Sequence, residues 1–179
     1  MTESTARSLD AFVELFHKWN QRINLSGAAT KAEIREHLDD SLHVVPLLRG
    51  AARVLDVGSG GGFPVVIAAI SLPDCEFIAL EPIHKKHAFL RTAARELALS
   101  NLTPLAERIE DHDANDYDAA MSRATFDLAD WLDLGATRVR SGGVVLGFEA
   151  QHRADLSNVE RSAYSLNGKP RAIVIRRST

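Results

Sequence analysis

Leu9, Phe12, Val13, Phe16, Trp19 and Ile23 recur at helical spacing, with Lys18, Gln21 and Arg22 off the apolar stripe. This pattern predicts an opening amphipathic helix, closed by a turn at Ser26-Gly27. Thr30 and Glu33 have the spacing of a capping box, in which each satisfies an exposed donor at a helix start. A second helix therefore begins there and carries Ile34, Leu38, Leu42 and Val45 on one face. Residues 1–50 read as a helical cap.

From Arg53 the period changes. Val54-Leu55-Asp56-Val57 is a short apolar run ended by glycines, and a helix-like stretch follows over Val65 to Ile70. Cys75 to Leu80 repeats the strand pattern, and His84 to Leu97 is helical. Leu102 to Ala106 and Ala119 to Ser122 read as strands, Leu128 to Ala136 as a helix and Val144 to Phe148 as a strand. Asn167-Gly168 between Ala163–Leu166 and Ala172–Ile175 marks a hairpin. The alternation implies βαβ units. The expected architecture is a Rossmann-like α/β fold, with a mostly parallel sheet, a C-terminal antiparallel hairpin and an N-terminal helical cap. One domain should cover 1–179, with the core over 51–179.

Composition narrows the function classes. A net charge of -3 argues against a uniformly basic nucleic-acid surface but leaves room for a local patch. The single cysteine, Cys75, excludes an internal disulfide framework and a cysteine-rich zinc site, and its apolar neighbours mark it as buried filler. No apolar run is long enough for a membrane span or signal region, so a cytoplasmic location is expected. His37 and Asp40 lack a third nearby ligand, so no metal is expected.

Asp56-Val57-Gly58-Ser59-Gly60-Gly61-Gly62-Phe63-Pro64 carries the strongest chemistry, because it joins a strand to a helix. Such a loop lets a ligand approach the backbone, and Pro64 suits a first helical turn whose N–H groups face that ligand. A dinucleotide fingerprint wants a third glycine where Phe63 stands, so an NAD-dependent oxidoreductase is disfavoured. Gly58-x-Gly60-x-Gly62 fits S-adenosylmethionine better. Glu81, twenty-three positions after Gly58 at the end of the second strand, can accept hydrogen bonds from both hydroxyls of a ribose.

With these residues located, the chain resembles the 16S ribosomal RNA methyltransferase G family, also called glucose-inhibited division protein B. Trp19-Asn20, Ile23-Asn24-Leu25, His37 with Asp40-Ser41-Leu42, the Asp56–Pro64 loop, Lys85-Lys86 with Phe89-Leu90, Arg108-Ile109-Glu110 and Ser122-Arg123-Ala124 carry the resemblance. It implies methyl transfer from S-adenosylmethionine to guanine N7 in a loop of 16S ribosomal RNA, with that RNA or the small ribosomal subunit as partner. It also implies cofactor contacts by Gly58, Gly60, Gly62, Phe63, Glu81, Ile109, Glu110 and Arg123. Arg123 would act as a positioning group, without an acid or base catalyst. His37, Asp40, Lys85 and Lys86 would lie toward the substrate.

Structural roles compete with these readings. Ile109 can be core, Glu110 a surface charge, and Arg123 the partner of a carboxylate; His37 and Asp40 can pair on one helix face. Trp19, Asn20 and Asn24 read as organisers of the cap. Arg91, Arg95, Arg138, Arg140, Arg171, Arg176 and Arg177 are either RNA contacts or solvated charges. The chain departs from the family at Phe148-Glu149, where a Lys-Gly pair is expected. Glu149 would thus put an anion near the RNA path. Two alternatives follow: a divergent paralogue with another substrate, and a noncatalytic S-adenosylmethionine-binding module.

Overall fold

Capping chemistry sets the first two helices in the computed structural model, which describes residues 2–179. Thr2 accepts the Thr5 amide at 3.2 Å, so helix α1 starts at Glu3 and runs to Ile23. The Thr30–Glu33 capping box opens α2, Lys31–Leu42. This helix ends at Leu42, short of Val45, because Pro46 has no N–H to donate to the Leu42 carbonyl four residues earlier and its ring crowds that carbonyl. A short 3-10 turn, Val45–Leu48, takes its place. Asn20 holds the connection between the helices: its Nδ2 donates to the Ala28 carbonyl at 2.6 Å and its Oδ1 accepts from the Ser26 amide at 2.9 Å.

The sheet contains β1 (Arg53–Val57), β2 (Glu76–Leu80), β3 (Leu102–Leu105), β4 (Tyr117–Ser122), β5 (Val139–Glu149), β6 (Glu160–Leu166) and β7 (Lys169–Arg177). Helices α3 (Val65–Ser71), α4 (His84–Glu96) and α5 (Leu128–Ala136) connect its parallel strands. The strand order is β3-β2-β1-β4-β5-β7-β6, parallel through β5 and antiparallel at β5–β7 and β7–β6. Strand order reverses between β1 and β4. Open α/β sheets bind ligands at such a switch point, outside the carboxyl ends of the strands.

β5 begins five residues before the predicted Val144. Val139 pairs with Tyr117, and the register then shifts before Ala119 pairs with Val144. The polar Arg140-Ser141-Gly142-Gly143 stretch across that irregularity hides the strand from an apolar pattern. Cys75 is buried immediately before β2 rather than within it.

The N-terminal helices share a core with the sheet. Leu9, Phe12, Val13, Phe16, Ile34 and Leu38 pack in one cluster with Val66, Phe77, Phe89 and Leu146. Burying each such side chain contributes on the order of 1.5–3 kcal/mol. Phe63 meets Phe12 and Phe16 edge-on at 5.2 and 5.1 Å, which fastens the glycine loop to α1. Trp19 packs on Phe89 at 5.7 Å. The opposite face of the sheet buries a second cluster around Leu80, Ile109, Trp131 and Leu132.

Several arginines are held by neighbours. Arg138 donates to the carbonyls of His112 and Ile109, Arg140 pairs with Asp118, Arg176 with Asp133 and Arg177 with Glu160. These contacts brace the far ends of β4, β5 and β7.

Candidate active site at the sheet switch point

The loop after β1 places Gly58, Ser59, Gly60 and Gly61 in the wall of an open cavity of about 610 Å³. Phe63 and Arg123 join them, and α2 adds His37 and Asp40. Lys86 contributes from α4, and Tyr164 and Arg171 from the C-terminal hairpin. Five elements distant in sequence thus converge where the topology predicts a site.

The loop glycines divide by task. At Gly60, φ is +54°, and a built Cβ meets only the Gly58 carbonyl oxygen, at 3.7 Å, so the backbone there lies open to the cavity. A Cβ at Gly62 would stand 2.6 Å from Val66 and 3.3 Å from both Leu90 and Phe12, so Gly62 serves close packing of the loop on the core. It does not line the cavity.

The loop amides also differ from the expected helix-start donors. Gly58 and Ser59 donate to the Leu80 carbonyl at 2.9 and 3.1 Å, and Gly62 donates to Ser59 at 2.7 Å. Pro64 is the N-cap of α3, one position before its first turn. Backbone pairing with β2, rather than a free helix terminus, therefore shapes the loop.

Glu81 is buried behind it. Its carboxylate accepts the Gly60 amide at 2.8 Å and the Ile83 amide at 2.8 Å. A carboxylate has about four acceptor positions, so these two bonds leave Glu81 spare acceptor capacity, although it stands behind the loop and does not itself line the cavity. Ile109 is buried in the second core cluster, while Glu110 is exposed on a 3-10 turn. Neither lines the cavity, and Lys85 also stands apart on the exposed face of α4.

Arg123 follows β4 and pairs with Asp40 across 83 residues, Nη1 to Oδ2 at 3.1 Å. Its guanidinium also lies 5.5 Å from the centre of the Phe63 ring. The second Asp40 oxygen accepts the Tyr164 hydroxyl at 2.6 Å, and the Tyr164 ring stacks on His43 at 3.9 Å. Burial and the Asp40 bond raise the Tyr164 phenol, which therefore remains a donor. Asp40 thus joins Arg123 and Tyr164 instead of pairing with His37. Burial, with Arg123 nearby, lowers His37 and leaves its ring neutral at neutral pH.

Tyr164 had no local signature. It comes from an alternating hairpin strand 124 residues from Asp40, and only the β5–β7–β6 order brings it to α2. Asp56 was legible only as the start of the glycine motif. It is fully buried, and its Oδ2 has no hydrogen-bond partner among the described residues. Burial raises its carboxyl to about 7, against lowering by Ser59 and Arg123, while nearby Glu81 raises it further.

That shift has a defined sign. Between pH 4 and pH 7, approximately, folded Asp56 keeps a proton that the unfolded chain releases, so its contribution to stability falls as pH rises through this window. Asp56→Asn should remove the fall and leave the protein ~4 kcal/mol more stable than wild type at pH 8, with no such gain at pH 4. Denaturant titrations at both values check this. Equal pH dependence in the two proteins would show that Asp56 ionises normally.

Glu149, at the end of β5, is buried but compensated. Arg161 donates to it at 2.9 and 3.1 Å, and the Arg153 amide donates at 2.8 Å. Burial alone would raise this carboxyl, yet these bonds hold it below the usual range. Its role is to anchor the segment after β5, so it is not a free anion facing the substrate.

Among the described residues, no helix is long and apolar enough to cross a membrane, and no group of three His, Cys, Asp or Glu could hold a metal ion. The family profile described as rRNA small subunit methyltransferase G matches residues 5–176. The chain belongs to this family. The enzyme of that name from Aromatoleum aromaticum is 36% identical over 161 residues, covering 87% of this chain and 76% of the relative. Its Neisseria gonorrhoeae counterpart is 40% identical over 144 residues, covering 80% and 70%. Membership makes the protein an S-adenosylmethionine-dependent rRNA methyltransferase and sets aside the oxidoreductase reading.

Solved methyltransferases share the fold. The O-methyltransferase TomG from Streptomyces achromogenes, solved in complex with SAM, matches with a TM-score of 0.63 at 15% identity, covering 100% of this chain and 91% of its own. Cofactor-bound Rv0187 from MTB matches at 0.67 and 14%, covering 97% and 91%. The Rossmann-like architecture expected from the sequence is therefore present, in the form shared by class I methyltransferases.

Proposed function

We propose that this methyltransferase modifies N7 of a guanine in a loop of 16S ribosomal RNA, in the small subunit, and that the switch-point cavity is where it does so. The carrying observation is the convergence of the open backbone at Gly60 with Arg123 and Asp40 in one crevice.

The site suits S-adenosylmethionine in three ways. Gly60 leaves room for a ligand against the backbone, Glu81 retains acceptor positions for a ribose, and Asp56 is an orphaned buried carboxyl near the loop, suited to a cationic group. Gly58, Gly60, Phe63, Glu81 and Arg123 are the proposed holding residues, with Ile109 and Glu110 proposed to flank the adenine. Gly62 supports them by packing. Bound there, the cofactor supplies an electrophilic methyl group on sulfur.

Guanine N7 has an exposed lone pair and no proton to lose, so the protein need supply only position and electrostatics. The residues match that requirement: His37 is neutral, Tyr164 stays protonated, and Arg123 is held in place by Asp40. Arg123 fixes the crevice wall beside Phe63 of the glycine loop. His37, Asp40 and Lys86 occupy its substrate side, with Lys85 along the approach. An unstacked loop base can enter such a crevice. The protein is proposed to act in the cytoplasm, where that RNA is assembled into subunits.

Replacing guanosine by 7-deazaguanosine tests N7 without altering the Watson–Crick edge. Reconstituted small subunits containing 7-deazaguanosine should accept no labelled methyl, while guanosine-containing subunits are labelled. Equal labelling of both would move the reaction to another atom.

A further inference from the structure

Arg171 lies on β7 opposite Tyr164, and the Nε of its half-buried side chain has no hydrogen-bond partner among the described residues. It forms no ion pair there either, because the neighbouring carboxylates are engaged. Asp40 holds Arg123 and Tyr164, and Glu149 holds Arg161. A buried donor left in this state costs stability, while the residue also borders open cavity space, where a ligand can bring acceptors to the rest of the guanidinium.

Its position is shared between two cavities, one of them the methyl-transfer crevice. Arg171, with Glu149 and Ala150, borders both that crevice and a second cavity of about 880 Å³, which is lined further by Gln151, His152 and Lys169. This volume is within the range of about 300–1,000 Å³ typical of small-ligand clefts. Lys169 stands two residues earlier on the same strand, so its Cβ shares a face with that of Arg171.

We infer that the second cavity receives the nucleotide next to the target guanine, and that the Arg171 guanidinium binds the phosphate joining the two. The inference rests on the proposed RNA substrate. A planar guanidinium presents parallel N–H donors to two phosphate oxygens, and the negative ligand supplies the charge and acceptors absent around Arg171. The two cavities meet at Arg171, Glu149 and Ala150, so a target base in the first leaves the phosphate to its neighbour beside Arg171. The Glu149–Arg161 pair forms a neutral wall between them, so the carboxylate does not repel the strand.

Arg171→Ala separates this role from a structural one. Filter binding with unmethylated small-subunit ribosomal RNA, in saturating S-adenosylhomocysteine, should show about tenfold weaker binding, and the slope of log K against log salt should shrink by about 0.7 for one lost single-strand phosphate contact. Arg171→Lys should recover the salt slope and part of the affinity. The melting temperature should not fall, since no hydrogen bond is removed, and S-adenosylhomocysteine affinity should stay at the wild-type value.

Wild-type RNA affinity and salt slope in Arg171→Ala would overturn the inference, even if wild-type enzyme methylates subunits normally. Weakened S-adenosylhomocysteine binding would overturn it too, by assigning Arg171 to the cofactor carboxylate. Loss of RNA affinity in the variant, combined with no methyl transfer by wild type, would uphold the phosphate site while rejecting the proposed reaction.

Discussion

Gly60→Leu should raise the dissociation constant for S-adenosylhomocysteine by at least ~100-fold in a protein that still folds, whereas Gly62→Leu should chiefly destabilise the fold. The two glycines are separated by one residue and share positive φ, but their surroundings differ. A side chain at Gly60 enters open cavity space, so the main folding cost is the left-handed backbone, about 1–2 kcal/mol. For a protein of this size that lowers the melting temperature by ~5 °C. At Gly62 the same strain is joined by overlap with Val66, Leu90 and Phe12, for a total of about 3–5 kcal/mol. Calorimetric titration and thermal unfolding of both variants make the comparison. Intact ligand binding by folded Gly60→Leu would place the cofactor elsewhere.

The second large effect is expected at Arg123. Arg123→Ala removes the cation from Asp40, whose side chain is only 14% exposed, leaving the Tyr164 hydroxyl as its hydrogen-bond donor. Breaking such a pair costs about 3 kcal/mol. Loss of a group lining the crevice should also lower methyl transfer by ~100-fold. Arg123→Ala combined with Asp40→Asn resolves the two contributions, because the orphaned charge is then gone. The double variant should recover most of the stability and little of the activity. Recovery of both would make the Arg123–Asp40 pair purely structural.

What the sequence disclosed depended on how local each determinant was. The Thr30–Glu33 capping box, the strand–glycine loop–helix unit and the Asn167-Gly168 turn are written in adjacent residues, and all three are present. The start of β5 was hidden because Arg140 to Gly143 break the alternation. The task of each loop glycine was hidden as well: Gly60 and Gly62 look alike in sequence, and only the packing of Val66 and Phe12 separates them.

Charge partners were less legible still. His37 and Asp40 share a helix face, yet Asp40 reaches Arg123 and Tyr164, which arrive on different strands. In the sequence Glu149 reads as an anion near the RNA path, whereas Arg161, twelve residues away, neutralises it. Arg171 was one basic residue among many. Its unpartnered Nε and its place between two cavities are tertiary facts.

The most direct measurement is transfer of labelled methyl from S-adenosylmethionine to small ribosomal subunits isolated without this modification, followed by nucleoside analysis of the digested RNA. The account predicts a single labelled product, 7-methylguanosine, with Arg123→Ala strongly reduced. Label in a different nucleoside, or no label from a folded enzyme that binds S-adenosylhomocysteine, would contradict it.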